Sequence, residues 1–320
     1  MNLILEKIYK IGIVPVVKLD DEKDALPLAA ALCRGGLPVA EITFRTSAAR
    51  GAIEKVTKAY PDMLVGAGTV LTCEQVDSAV EAGAKFIVTP GFNRKVVEHC
   101  IEIGVPVTPG CPTSSDIETA LELGLDVVKF FPAENLGGLK MIKALSAPYV
   151  GVKFMPTGGI NSENVKDYLA CDKILACGGS WMVKDSLINA GEFDKIEAMT
   201  RDAVNSLLSF KFDHMAINCE NASKAGGVAE LFSHIFGFEK NEIPVSYYCS
   251  DEIEVMKSNA RGTNGHIAVK TINIDRAVYH LAKRGVKFDY DTAKYTKDGK
   301  LSFIYLADEI GGFAVHLLQK

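Results

Sequence analysis

The chain lacks any CxxC pair, has a single tryptophan and contains no long apolar run, and each scarcity narrows what it can be. Its eight cysteines are scattered, with Cys171 and Cys177 the nearest two in sequence. That spacing argues against a zinc ribbon or a disulfide framework and reads as reduced thiols, mostly buried small apolar groups, in a cytoplasmic protein. No segment approaches the roughly 20 apolar residues that span a bilayer. The opening MNLILEKIYK interrupts its apolar run at Glu6 and Lys7, so no signal-peptide core is expected. Excess positive charge is missing as well: 35 Lys and Arg stand against 40 Asp and Glu, a net charge of −5. Nucleic acid and acidic membranes are therefore not expected as partners, although small anions can bind at local sites.

What is present is an ordinary globular balance, 48% hydrophobic and 23% charged, over 320 residues. That length buries one large core or two moderate ones. One pattern recurs through the first part: a helical stretch, a Gly stop, then a short β-rich run ending in Pro, Gly or Thr. It appears as GGLPVAEITF from Gly35, AGAKFIVTPG from Ala82, IGVPVTPG from Ile103 and LGLDVVKFFP from Leu123. Gly suits the left-handed residue that ends a helix, and the nearly all-apolar runs suit parallel strands covered on both faces. GIVPVV near Gly12, MLVGAGTV near Met63, VKFMPTGG from Val152 and KILACGGS from Lys173 complete a series of eight strands. Helix starts are read at Thr72 with Gln75 and at Ser115 with Glu118, both at capping-box spacing. The expectation is an α/β fold, a small (β/α)8 TIM barrel over residues 1–208. A doubly wound open sheet is the alternative, disfavoured by the strand count and by the lack of GxGxxG after the first strand.

Barrels of this kind carry their chemistry at the C-terminal ends of the strands. Those ends hold Glu41 and Arg45, Thr69, Pro90, Pro109, Lys129, Thr157 with Gly158 and Gly159, then Gly178, Gly179 and Ser180. A base, a carboxylate clamp, a nucleophile and a phosphate cradle can be drawn from this set. TGGI and GGSW fall after strands seven and eight, where backbone N–H groups meet phosphate; otherwise they are merely tight turns. Lys129 sits among Val127, Val128, Phe130 and Phe131, and burial favours the neutral amine that attacks a ketone. A lysine that snorkels to solvent or pairs with a carboxylate is the plainer account. VKFFP around Lys129 and VKFMP around Lys153 are nearly one string, and Lys18 also lies near a strand end. On residue pattern alone the nucleophile is Lys129 or Lys153.

LPVAEITFRT, VGAGTV, FIVTPG, VVKFFPAE, FMPTGGI and GGSWMV, in this order, resemble the bacterial 2-keto-3-deoxy-6-phosphogluconate (KDPG) aldolase family, in which 4-hydroxy-2-oxoglutarate cleavage is also found. The resemblance runs from about Met1 to Ser206. It implies that Lys129 forms a Schiff base with the substrate ketone, that Glu41 is the general acid/base and that Arg45 binds the pyruvate carboxylate. It further implies that Thr69, Pro90, Phe131 and Thr157 line the pyruvate site, and that phosphate lies against Gly158, Gly159, Gly179 and Ser180. No cofactor is implied for this chemistry, the substrate is a small phosphorylated keto acid, and a homotrimer is the implied assembly. The loop GCPTSSD departs from the family pattern, and its Cys111 reads as structural. The rival enzyme class is a phosphate-binding barrel synthase or isomerase with no covalent intermediate. It would share TGGI and GGSW but would not need VVKFFPAE together with EITFRT.

Past the helical stretch 192–208 the register changes. FDHMAINCEN from Phe212 and GHIAVKTINI from Gly265 are alike, with His214 and His266 about 52 residues apart, so residues 211–320 read as a duplicated unit. The arrangement resembles the vicinal oxygen chelate superfamily, which includes glyoxalase I, and implies a smaller α+β domain of two βαβββ modules. It also implies a divalent transition metal held by His214, Glu254, His266 and His316, with His316 standing where many members have Glu. The rival is a ligand-sensing or assembly module without a metal. His99, His234 and His280 fall on helical stretches and are expected at the surface or in packing.

Overall fold

Asn2 starts the first helix, Leu3–Ile11, by accepting a hydrogen bond from Ile4 N at 2.8 Å, and Gly12 ends it at φ 81°. The computed structural model describes residues 2–320, which divide into two units at Leu207/Leu208. All eight cysteines are free. Among the described residues no helix is long and apolar enough to cross a membrane.

Eight short strands alternate with helices in the first unit: β1 (Ile13–Val17), β2 (Val39–Thr43), β3 (Leu64–Gly68), β4 (Ile87–Val88), β5 (Val107–Thr108), β6 (Val127–Phe130), β7 (Lys153–Pro156) and β8 (Cys177–Gly179). Six form a parallel sheet in the order β5-β4-β3-β2-β1-β8, and β6 pairs with β7, also in parallel. Single bridges tie that pair to both ends of the larger sheet: Gly110 to Lys129 beyond β5, and Phe154 to Ile174 and Thr157 to Gly178 towards β8. The sheet is therefore curled. β2 and β3 are buried at every position, as parallel strands covered on both faces must be.

The helix starts follow side-chain chemistry. Thr72 accepts from Gln75 N at 3.3 Å while Gln75 accepts from Leu71 N at 2.7 Å, so the expected start is in place. The start expected at Ser115 lies two residues earlier. Thr113 is extended and accepts from Asp116 N, and Asp116 accepts back from Thr113 N at 3.1 Å, while Ser115 already lies inside the helix Ser114–Glu122. An Asp three residues after a Thr closes the box as well as a Glu does.

The second unit runs strand, helix, three strands, and then repeats that order. It comprises β9 (Lys211–Asn218), the helix Ala222–Phe236, β10 (Lys240–Glu242), β11 (Ser246–Cys249) and β12 (Ile253–Met256). Then come β13 (Gly265–Thr271), the helix Ile274–Lys283, β14 (Phe288–Tyr295), β15 (Leu301–Leu306) and β16 (Phe313–Gln319). All eight strands join one sheet, β10-β11-β12-β9-β13-β16-β15-β14. β9 and β13 meet antiparallel at its centre, and each takes the last strand of its own half, β12 or β16, as a parallel neighbour. The two halves thus have equivalent pairings. Ala225, Ala229, Cys249 and Val255 form a small core beneath the first helix.

Candidate active site

Lys129 is the third residue of β6 and is only 4% exposed, between Val128 and Phe130, which are fully buried. Its backbone is fixed on both sides: Lys129 N donates to Pro109 O, and its carbonyl accepts from Cys111 N, each at 2.8 Å. Glu41, mid-way along β2, is fully buried, and its Oε1 lies 3.4 Å from Lys129 Nζ. Gly68 at the end of β3 makes this possible, since a Cβ there would collide with the Glu41 carboxylate. The second oxygen, Glu41 Oε2, is buried with no partner among the described residues. A buried carboxylate oxygen left unpaired is costly, so it is poised to accept a proton or hydrogen bond from a bound molecule.

The other two lysines are placed differently. Lys153 opens β7 at its N-terminal end, opposite Val127, while Lys129 pairs with Met155 further along. Its amine donates to Asp172 O. Lys18, just past β1, lies 2.8 Å from Asp20 and 3.5 Å from Asp185 at the surface. The Asp20 hydrogen bond, with the charges of both aspartates, holds its amine above the ordinary lysine range despite the opposing effect of desolvation. Of the three, only Lys129 faces a carboxylate that is itself buried.

Around this pair, Arg45 is exposed and its Nε donates to Thr69 Oγ1 at 3.3 Å. Thr69 has φ 54°, a left-handed conformation costly for a β-branched residue, and it places the hydroxyl under the guanidinium. The Phe131 ring centroid lies 5.3 Å from Lys129 Nζ. Gly158 abuts Pro132 and Phe131, and Thr157 Oγ1 is buried, without a partner among the described residues, against Gly178. Gly179 packs against Trp181, and Ser180 is exposed, its carbonyl accepting from Val183 N at 3.1 Å. The Pro90 carbonyl packs against Gly110. The structure thus brings Lys129, Glu41 and Phe131 into one contact, joins Arg45 to Thr69, and sets the Gly158 turn beside Phe131. Burial pushes the Cys111 thiol up to about 12, which keeps it protonated and unreactive. Two residues the sequence reading gave no role also lie here. Glu134, directly after the VVKFFPA run, accepts a hydrogen bond from buried Tyr168.

In the second unit the four residues expected to gather do so. His214 stands on β9, Glu254 on β12, His266 on β13 and His316 on β16. His214 Nε2 lies 3.1 Å from His266 Nε2 and 3.6 Å from Glu254 Oε2, and His266 Nε2 is 3.3 Å from the same oxygen. Ligand atoms of the three histidines all fall within 4.8 Å of one another. Bonds of about 2.1 Å to a tetrahedral ion put neighbouring ligand atoms about 3.4 Å apart, which the spacings among His214, His266 and Glu254 fit. Asp213 Oδ2 is 3.0 Å from His214 Nδ1, the outer support a ligating imidazole usually has. Burial, then the charges of His266 and His214, lower the His316 pKa to about 3, which keeps it neutral. Burial pushes the Glu254 carboxyl up, but hydrogen bonds from His266 and Ser246 outweigh it and leave the group ionised below its usual range. A neutral imidazole at His316 and an ionised carboxylate at Glu254 are donors that borderline transition metals take. The remaining histidines are dispersed: His99 bonds Asp77 at 2.7 Å, His234 is exposed and His280 is buried in its helix.

Parallel strands that gather a buried amine and a buried carboxylate along their length, with paired glycines beyond their C-terminal ends, define an α/β enzyme class with its chemistry towards that end of the sheet. The chain belongs to the KDPG and KHG aldolase family, whose profile matches residues 4–199. The 2-dehydro-3-deoxy-phosphogluconate aldolase of Treponema pallidum is 49% identical over 204 residues, covering 64% of this chain and 97% of that protein. The enzyme of the same name from Haemophilus influenzae is 51% identical over 202 residues, covering 63% and 95%. Among solved structures, the KDPG aldolase of Legionella pneumophila, with pyruvate captured as a covalent carbinolamine, superposes at a TM-score of 0.61 with 38% identity. That match covers 62% of this chain and 97% of the other.

Proposed function

We propose that the first unit is a class I aldolase, a closed (β/α)8 barrel that cleaves KDPG to pyruvate and glyceraldehyde 3-phosphate through a Schiff base on Lys129. The observation that carries this reading is the buried Lys129–Glu41 pair, 3.4 Å apart. A carbinolamine is the adduct of an amine and a carbonyl, and its capture in the Legionella pneumophila relative supports an amine nucleophile here. The Lys129 amine adds to the C2 ketone, and loss of water leaves an iminium. The C3–C4 bond then breaks, its electron pair passes to the iminium nitrogen as an enamine, and the C4 hydroxyl proton goes to Glu41 as the aldehyde leaves. Protonation at C3 and addition of water release pyruvate and return the amine. Arg45 grips the substrate carboxylate, Thr69, Pro90, Phe131 and Thr157 line the pyruvate end, and Gly158, Gly159, Gly179 and Ser180 face the phosphate. The iminium is the electron sink, so the step needs no metal. 4-Hydroxy-2-oxoglutarate fits the same chemistry, yielding pyruvate and glyoxylate.

For the second unit the reading is a vicinal oxygen chelate domain of two βαβββ modules. His214, Glu254, His266 and His316 would hold a divalent transition metal, which would supply Lewis acidity to an oxygen ligand. The convergence of four donors from four strands supports it. The aldolase reading is tested by incubating the chain with pyruvate and borohydride. A pyruvyl group is expected on Lys129, lost in Lys129→Ala and kept in Lys153→Ala; label on Lys153 would overturn the assignment.

A further inference from the structure

Three consecutive carbonyls after β7 are all tied back. Thr157 O accepts from Ala133 N at 2.8 Å and Gly158 O from Glu134 N at 3.1 Å. Gly159 O receives the side-chain amides of Asn164 at 3.0 Å and Asn161 at 3.3 Å. In a planar trans peptide the N–H points opposite to the carbonyl, so tying back these oxygens directs the N–H groups of Gly158, Gly159 and Ile160 the other way. Such a row of N–H donors is a backbone cradle for an anion. Gly158 and Gly159 hold φ 95° and 81°, which only glycine adopts without strain.

Glu134 touches this turn in three ways. Its N–H holds the Gly158 carbonyl, as above. Its Cβ and Cγ lie under Gly159, where an added Cβ would sit 2.6 and 2.5 Å from them. Its carboxylate accepts from Tyr168, a side chain only 2% exposed on the helix Val165–Leu169 that follows the turn. Gly138 leaves room for that bond: a Cβ there would lie 2.8 Å from the phenol oxygen and 2.9 Å from Glu134 Oε1. Burial, then Glu134 itself, raise the phenol pKa above its ordinary value, so Tyr168 keeps the proton it donates. One side chain thus joins the exit of β6 to the exit of β7 and to the next helix, while Lys129 stands upstream on β6.

We propose that Glu134, locked by Tyr168, is a positioning residue that holds the Gly158–Gly159 turn in shape as the seat of the substrate phosphate. It governs capture of the phosphorylated end and not imine formation at Lys129; the proposal rests on the aldolase reading above. The test uses the full chain and three variants, Glu134→Ala, Glu134→Gln and Tyr168→Phe. KM and kcat for KDPG, inhibition by inorganic phosphate, and the rate of pyruvate–borohydride labelling are measured on each. Glu134→Ala should raise KM and weaken phosphate inhibition by about tenfold, the scale of one lost tie, with kcat and labelling near wild type. Glu134→Gln, which keeps an acceptor for the phenol, should restore both, and Tyr168→Phe should fall between. If Glu134→Ala does not fold, Tyr168→Phe carries the test, with KM and phosphate inhibition shifted in the same direction by a smaller factor. Unchanged KM and phosphate inhibition, or loss of labelling in step with KM, would overturn the positioning role while leaving an active wild type intact. A wild type that neither cleaves KDPG nor takes label removes the aldolase reading itself, and this proposal with it.

Discussion

Glu41 is the residue at which binding and bond cleavage should come apart. Its carboxylate has one oxygen facing Lys129 Nζ and one buried without a partner, in space that a side chain at position 68 would fill. Glu41→Gln keeps the shape and removes the proton acceptor. Borohydride trapping of pyruvate at Lys129 should persist, while turnover of KDPG falls by about 10²–10⁴-fold, the usual contribution of a positioned acid/base group. Steady-state kinetics with trapping on the same preparation reads both, and near-normal turnover would remove Glu41 from the chemistry. The sequence shows Glu41 as a charged residue inside an otherwise apolar run, which is why it could be singled out. It does not show that the partner is one lysine and not another. Lys129 and Lys153 share almost the same string, and what separates them is two positions of strand register, Lys153 opening β7 and Lys129 lying deeper along β6.

At the scale of elements, helix starts give a sharper test of local chemistry. Thr113 and Asp116 bond reciprocally at the start of the helix Ser114–Glu122, whereas Ser115 is already in the first turn. Thr113→Ala should cost about 1 kcal/mol, read as a lower urea midpoint with unchanged slope. Ser115→Ala should stay within about 0.5 kcal/mol. Equal losses from the two would restore the start expected from the sequence. Two overlapping Ser/Thr-x-x-acid spacings made the pattern ambiguous, and only backbone conformation separates them. Strands were easier: the runs that became β2 and β3 are apolar apart from Glu41 and Thr43, and all of their positions are buried. The Glu134–Tyr168 tie was invisible, because its members stand 34 residues apart with no periodicity linking them.

For the whole molecule, two chemistries are proposed on one chain, and they should respond separately to chelation. The duplicated order of the second unit places His214 and His266 on the two central strands, and Glu254 and His316 on the strands beside them. The repeat at about 52 residues was legible in the sequence; the closeness of the imidazoles depends on β9 and β13 meeting antiparallel, which it does not state. In the same cluster, His266 Nδ1 and His316 Nδ1 are both buried without partners among the described residues. The full chain, purified without chelator and supplied with Zn²⁺, Ni²⁺, Mn²⁺ or anaerobic Fe²⁺, should retain an ion by elemental analysis. His214→Ala, His266→Ala and His316→Ala should each lower that content, with pyruvate labelling of Lys129 unchanged. EDTA should strip the ion and leave KDPG cleavage intact. Cleavage lost to chelator and restored by metal would sink the Schiff-base reading, and a wild type that retains none of these ions would leave the second unit as a binding or assembly module.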